Sequence, residues 1–351
     1  MTFPITKPKL RWAITGLGLQ AEKIAQAINS THDNKLIAVA DKDLKRAKNF
    51  AQRHKAKYYF NSYKKLLKNP EIEAVFVASP NYQHKTQTIL ALEAKKHVLC
   101  EKPMALSLKD GLAMLRSAKK NKVKIGIGFH LRYHPIHQEA RRLIGSGRLG
   151  RIILIEAHWS VGRLGETRLS PYQGYMRWRN NLKKSGGGTL MARGIHLFDL
   201  LRFLTDQEVN EITAYTDASK KQPLDTTMIC LVRLGKTFAT LATSRIIPQS
   251  INDVIIYGSH GRLILHNALT TDASGILEFT SGKIKFERRF KKMNVYQKEI
   301  EGFANEIHRK KGGGAKGEDG IKSIAITEGF IAAVKDKKSK KIKRIKIYLE
   351  K

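Results

Sequence analysis

Cysteine is scarce in this chain: there are only two, Cys100 and Cys230, far apart and without a paired CxxC spacing. That argues against a disulfide framework and a thiolate zinc site, and it fits a reducing compartment. Long apolar runs are missing as well. No stretch approaches the roughly 18 consecutive apolar residues of a membrane-crossing helix. The start, Met1–Leu10, carries Pro4 and Pro8 and lacks the apolar centre of a secretory signal, so a cytoplasmic protein without a membrane partner is expected. The third shortage is of acid. Asp and Glu number 30 against 65 Lys and Arg, giving a formal net charge of +35. Such a field attracts anions of every kind. The excess is spread over both halves, with some crowding in Lys335–Lys351, whereas a nucleic-acid module concentrates it on one helix or arm. No specific nucleic acid is therefore expected as a partner, and an anionic small molecule suits the charge better.

What is present is an ordinary globular composition, 42 % hydrophobic over 351 residues, enough for about two domains. The first third alternates short apolar runs (Leu10–Thr15, Leu36–Asp41, Ala74–Ala78, His97–Cys100, Lys124–Gly128) with helical patterns (Gln20–Asn29, Leu44–His54, Gln83–Ala94, Leu108–Asn121). That alternation predicts an α/β, doubly wound parallel sheet over residues 1–127. Beyond it, helices are expected at Ile136–Ile144, Leu190–Leu204, Ile300–His308 and Ile324–Val334. Strands at Ile152–Trp159, Val209–Thr216, Thr226–Leu234, Ala239–Arg245 and Asp253–Tyr257 predict an α+β domain with a largely antiparallel sheet over 128–351. Its final helix is expected to pack back on the first domain, and the Gly-rich Lys311–Asp319 reads as a mobile loop.

Two motifs carry chemistry. Gly16-Leu17-Gly18-Leu19-Gln20-Ala21 follows the first strand and opens its helix. Glycines there permit a tight turn and close backbone approach to a pyrophosphate at the positive helix N-terminus. Asp41 ends the second strand 23 residues after Gly18, where an acid hydrogen-bonds ribose hydroxyls and repels a 2′-phosphate. NAD is expected over NADP, with Lys42, Lys45 and Arg46 able to soften the preference. The second motif, Glu101-Lys102-Pro103, follows the fourth strand and puts a lysine at the crevice beyond the strand ends. An ammonium there can stabilise an alkoxide during hydride transfer.

The neighbourhood of these motifs resembles a known family. Ser79-Pro80-Asn81 with His84, then Lys96-His97-Val98-Leu99-Cys100-Glu101-Lys102-Pro103, is similar to the TPN…H…GKHVLCEKP signature of the Gfo/Idh/MocA oxidoreductases. Trp178-Arg179, Ser185-Gly186-Gly187-Gly188 and Gly194-Ile195-His196-Leu197-Phe198-Asp199 resemble its WR…GGG…GxHxxD segment, and Tyr296, Phe303 and Glu318-Asp319-Gly320 its late elements. The resemblance implies an NAD(P)-dependent oxidoreductase acting on a sugar, assembled as a homo-oligomer. It implies that Gly16, Gly18, Leu19, Gln20, Asp41, Ser79, Pro80, Asn81 and His84 line the dinucleotide. Glu101 and Lys102 would sit at the nicotinamide end, and Trp178, Arg179 and Tyr296 would approach from the second domain. His196 would be the catalytic acid/base, with Lys102 as its partner.

The match has departures. The family's Asp four residues before the histidine is Ala192 here, followed by Arg193, and His130 stands where many relatives have Asn. His130, Arg132 and Arg193 are expected beside Lys102 and His196 as substrate contacts. The same residues also suit an NAD-dependent glycosidase or eliminase without net redox, or a cofactor-bound binding protein that has lost catalysis.

Overall fold

The computed structural model describes residues 9–165, 170–270, 272–308, 310 and 312–342. In chain order the first half holds β1 (Leu10–Thr15), α1 (Leu19–Asn29), β2 (Asn34–Ala40), α2 (Leu44–His54), β3 (Tyr58–Phe60), α3 (Tyr63–Leu67), β4 (Ala74–Val77), α4 (His84–Glu93), β5 (His97–Glu101), α5 (Leu108–Asn121) and β6 (Ile125–Gly128). There follow α6 (Pro135–Gly145), β7 (Ile152–Ser160), α7 (Leu182–Ser185), α8 (Ile195–Thr205), β8 (Glu211–Thr216), β9 (Thr227–Leu234), β10 (Thr237–Ser244) and β11 (Val254–Gly258). The chain continues through β12 (Arg262–His266), β13 (Gly275–Ser281), β14 (Ile284–Phe290), α9 (Val295–Ile307), β15 (Ala315–Lys316), α10 (Gly317–Asp336) and β16 (Lys340–Lys341).

Local chemistry starts and stops the helices. Asp43 and Ser107 cap α2 and α5 through their side chains, and Lys55 and Lys122 end them in the left-handed conformation. Such a cap stabilises a helix by about 1 kcal/mol. Burial sorts the two sheets. Every residue of β4 is buried, as a strand covered by helices on both faces requires. In β9 buried and exposed residues alternate, so that sheet buries one face only.

The first sheet runs β15-β6-β5-β4-β1-β2-β3, and its first six strands in sequence are parallel. Strand order reverses between β1 and β4, and ligands of such sheets bind beyond the strand ends at that point. The second sheet runs β14-β13-β12-β11-β7-β10-β9-β8-β16, antiparallel except where β7 pairs β10. β3 and α3 are additions to the sequence reading, as are the strands from β12 to β14. β14, Ile-Lys-Phe-Glu-Arg-Arg-Phe, carries too few apolar residues to announce itself.

Two expectations are corrected here. Within Lys311–Asp319, Ala315 and Lys316 pair with Ile127 and Gly126 on the edge of the first sheet, and α10 begins at Gly317. Glycine serves close packing there, since a Cβ on Gly314 would lie 2.4 Å from the Tyr133 hydroxyl. The expected Leu190–Leu204 helix is present but opens as a π-turn (Leu190–Gly194) that runs without interruption into α8. Of the basic stretch Lys335–Lys351, residues 343–351 lie outside the described residues. α9 and α10 both return to the first domain. Phe303 packs against Trp12, and Ile321 and Ile324 lie over Gly111. Among the described residues no helix is long and apolar enough to cross a membrane.

Candidate active site

The turn after β1 fits a dinucleotide closely. Gly16 has φ +81°, and a Cβ there would lie 2.5 Å from the Ser79 Cα of the turn after β4, so only glycine lets the two loops meet. Gly18 precedes α1 without any side-chain cap, leaving the first amides of that helix free for an anion. Asp41, at the end of β2, accepts from Leu17 N at 3.2 Å and from Arg46 Nη1 at 3.4 Å. Arg46 also lies over the Tyr175 ring, 5.3 Å from its centroid. These residues border a cleft of ≈ 820 Å³, walled on its far side by the segment Gly174–Asn181. Gly16, Gly18, Leu19, Gln20, Asp41, Lys42, Ser79, Pro80, Trp178 and Arg179 all line it.

A smaller cavity of ≈ 150 Å³ continues from the cleft, and Gln20, Ala78, Ser79, Trp178 and Arg179 border both. Asn81, His84, Glu101 and Lys102 face this inner space, together with Ala192 and Arg245. Asn81 bonds across to the second domain, donating to the Ser185 carbonyl at 2.8 Å. His84 is committed to the frame. Its Nδ1 lies 2.7 Å from the Pro103 carbonyl and its Nε2 2.8 Å from that of Ser79, joining the loops after β5 and β4.

The Lys102 ammonium donates to the carbonyls of Ala192 at 2.8 Å and Met191 at 3.3 Å. Those carbonyls belong to the π-turn, whose start is held by Asp225: its carboxylate accepts from Gly188 N at 2.7 Å and Leu190 N at 2.6 Å. A Cβ on Gly188 would fall 1.9 Å from the Asp225 carbonyl, so only glycine fits at that position. Burial lowers the Lys102 pKa, Glu101 opposes, and Arg179 and Arg193 lower it further. Burial likewise raises Glu101 against the pull of Lys102.

His196 sits just off the cavity. Its ring packs among Phe129, His130 and Trp159, the His130 centroid being 4.8 Å away, and its Nδ1 is buried without a partner. Burial, then the charge of Lys102, lowers its pKa well below the ordinary value, so the imidazole is neutral at pH 7. His130 bridges to Tyr296 at 5.1 Å, and burial lowers its pKa to about 3. Arg193 lies over Trp159 at 5.7 Å. His130, Arg193, His196 and Tyr296 border neither space directly.

Arg132 corrects the expectation of a substrate contact. Its guanidinium is taken up by Asp199, at 2.7 and 2.8 Å, and by Asp319 at 3.0 Å, where Arg202 joins the same acid at 3.1 Å. This buried network ties the segment after β6 to α8 and α10. Asp225, Tyr175 and Arg245 went unseen in the sequence: each is one polar or aromatic residue in a loop or at a strand end, without a spacing pattern.

Residues 10–129 match the family described as oxidoreductases with an NAD-binding Rossmann fold, GFO_IDH_MocA, and residues 137–264 match the GFO/IDH/MocA C-terminal domain. The chain is similar to 1,5-anhydro-D-fructose reductase of Ensifer adhaerens, 27 % identical over 92 % of this chain and 96 % of that one. Among solved structures it resembles aldose-aldose oxidoreductase from Caulobacter crescentus (TM-score 0.85, 23 % identity, 95 % of this chain and 99 % of that one). It likewise resembles levoglucosan dehydrogenase in complex with NADH and levoglucosan (TM-score 0.84, 17 % identity, 96 % and 100 %).

Proposed function

The chain belongs to the Gfo/Idh/MocA oxidoreductase family with its NAD-binding Rossmann fold, and from that premise we propose that it transfers a hydride between a nicotinamide cofactor and a hydroxyl or carbonyl carbon of a sugar. The observation that carries this reading is the continuity of the two spaces. A dinucleotide-sized cleft opens through Ser79, Trp178 and Arg179 onto a small polar cavity whose wall holds Lys102. The relatives named above as sugar reductases and dehydrogenases support the substrate class.

When bound, the nicotinamide supplies the acceptor or donor of the hydride. The protein's own residues then handle position and proton. Lys102, fixed by two carbonyls of the π-turn, has one N–H left for a substrate oxygen and would stabilise negative charge there. His196, neutral through burial and set just behind the cavity wall, would accept the hydroxyl proton of a substrate that reaches past Lys102. Asp41 favours NAD, since a 2′-phosphate would meet its carboxylate, and Arg46 beside it is already paired with that acid. A homo-oligomer forms through the open face of the second sheet, where Ile229, Leu231 and Phe238 are more than half exposed.

Calorimetric titration with NAD and NADP, followed by NADH formation over a sugar panel, tests the proposal. NAD should bind more tightly, and at least one sugar should reduce it. Tighter NADP binding would sink the cofactor assignment and point to Lys42 or Arg46 as the phosphate partner. Sugar cleavage without net NADH would replace dehydrogenation by a redox-neutral reaction. Light scattering should give more than one chain per particle.

A further inference from the structure

The cations around Lys102 are not balanced by acids. Among the described residues no carboxylate lies within ion-pair distance of Arg193 or Arg245. Their partners are aromatic: Arg245 donates to the Tyr172 hydroxyl and lies over its ring, and Arg193 lies over Trp159. Burial alone lowers both, Arg193 to about 10. Arg132, more fully buried, shows the contrast, since two carboxylates surround it. A guanidinium stays charged, and half-burying it against aromatic rings without a counter-ion carries a cost that an anion from outside would relieve. The one acid bordering the inner cavity is Glu101, against Lys102, Arg179 and Arg245. Ala192 adds no carboxylate to that wall. The cofactor's pyrophosphate is not the missing anion for Arg245, which borders the inner cavity and not the dinucleotide cleft.

Resting on the hydride-transfer reading, we propose that the substrate is an anionic sugar derivative whose carboxylate or phosphate is bound by Arg245, with Arg193 and Arg179 adding positive potential. A planar guanidinium fork matches two oxygens of either group, and the Tyr172 hydroxyl holds it in place.

The test compares binding of D-glucuronate, D-glucose 6-phosphate and D-glucose by calorimetry in the presence of NAD, with NADH formation measured alongside. At least one anion should bind about tenfold or more tightly than glucose, with the preference shrinking as salt is added. The uronate and phosphate arms decide which anion is meant. Arg245→Gln should bring the affinities toward parity, Arg245→Lys should keep part of the preference, and Ala192→Asp should reduce it by placing a carboxylate in the wall. Glucose binding as tightly as both anions, neither anion binding at all, or a preference that survives Arg245→Gln would each overturn the proposal. Heat of binding needs no turnover. Anion-selective binding without NADH from any sugar would therefore sustain the anion site and count against hydride transfer.

Discussion

In the dinucleotide cleft the inner contacts come from runs of neighbouring residues at strand ends: Gly16 to Gln20 after β1, Asp41 and Lys42 after β2, Ser79 and Pro80 after β4. In the inner cavity single side chains arrive from remote segments, with Lys102 held by carbonyls about 90 residues away and Asp225 holding the same turn from 35 residues beyond. The first region is built on backbone shape, the second on charge and position. Backbone shape depends on local sequence and survives divergence. A constellation of side chains can be altered one residue at a time, as Ala192 and His130 illustrate.

The largest expected effect lies in the frame common to both regions. Arg132→Ala leaves Asp199 and Asp319 buried with Arg202 as their remaining cation and removes the two-pronged Asp199 pair, which should cost up to about 3–5 kcal/mol in urea denaturation at pH 7. Burial works against the Asp319 charge, yet Arg132 and Arg202 hold its pKa below the ordinary 3.8. A depressed carboxylate contributes stability above its unfolded value and loses it as pH falls through the folded one. The deficit of the variant should therefore narrow in that acid range. A loss under about 1 kcal/mol at pH 7 would restore Arg132 as a candidate substrate contact.

Gly16→Val should act on the cleft alone. The new side chain meets the Ser79 backbone at a positive φ, so strain and overpacking together cost about 2–4 kcal/mol. Loss of NAD affinity measured by calorimetry should exceed any loss of sugar affinity. Unchanged NAD binding would mean that the backbone at Gly16 does not face the cofactor.

Lys102→Met should do the reverse, lowering turnover by about 10²-fold, or about 2.7 kcal/mol, with little change in NAD affinity. Carbonyl reduction needs the protonated amine. Because burial, helped by Arg179 and Arg193, brings Lys102 below its ordinary 10.5, the rate should decline as pH rises, with a midpoint short of that value. The variant should lack this limb. A wild-type profile flat to pH 10 would remove Lys102 from the proton-handling step.

Much of the first domain was legible because its signals are local. Gly16, Gly18 and Asp41 stand at fixed distances along one strand–helix–strand unit, and the apolar runs of β1, β4 and β5 mark a sheet covered on both faces. The second domain was legible in β9 and β10, where burial alternates over eight residues, and silent in the charged edge strand β14; the shorter alternations of β12 and β13 also went unread. The Leu190–Leu204 pattern named a helix but not its opening π-turn, since periodicity records which face is apolar and not which backbone groups a distant side chain will claim.

By itself, then, the sequence determined the alternation of strands and helices, the glycine turn, the acid at the end of β2, and the lysine at the crevice. Each follows from steric limits on a short peptide or from the period of its apolar residues. Tertiary structure alone decided that Arg132 is locked between Asp199 and Asp319 while Arg245 is left facing a cavity without an acid partner among the described residues. It also decided that Ala315 and Lys316 leave a glycine-rich run to join the first sheet. Two arginines are alike in a sequence, and what separates them is which carboxylates the fold brings within 4 Å.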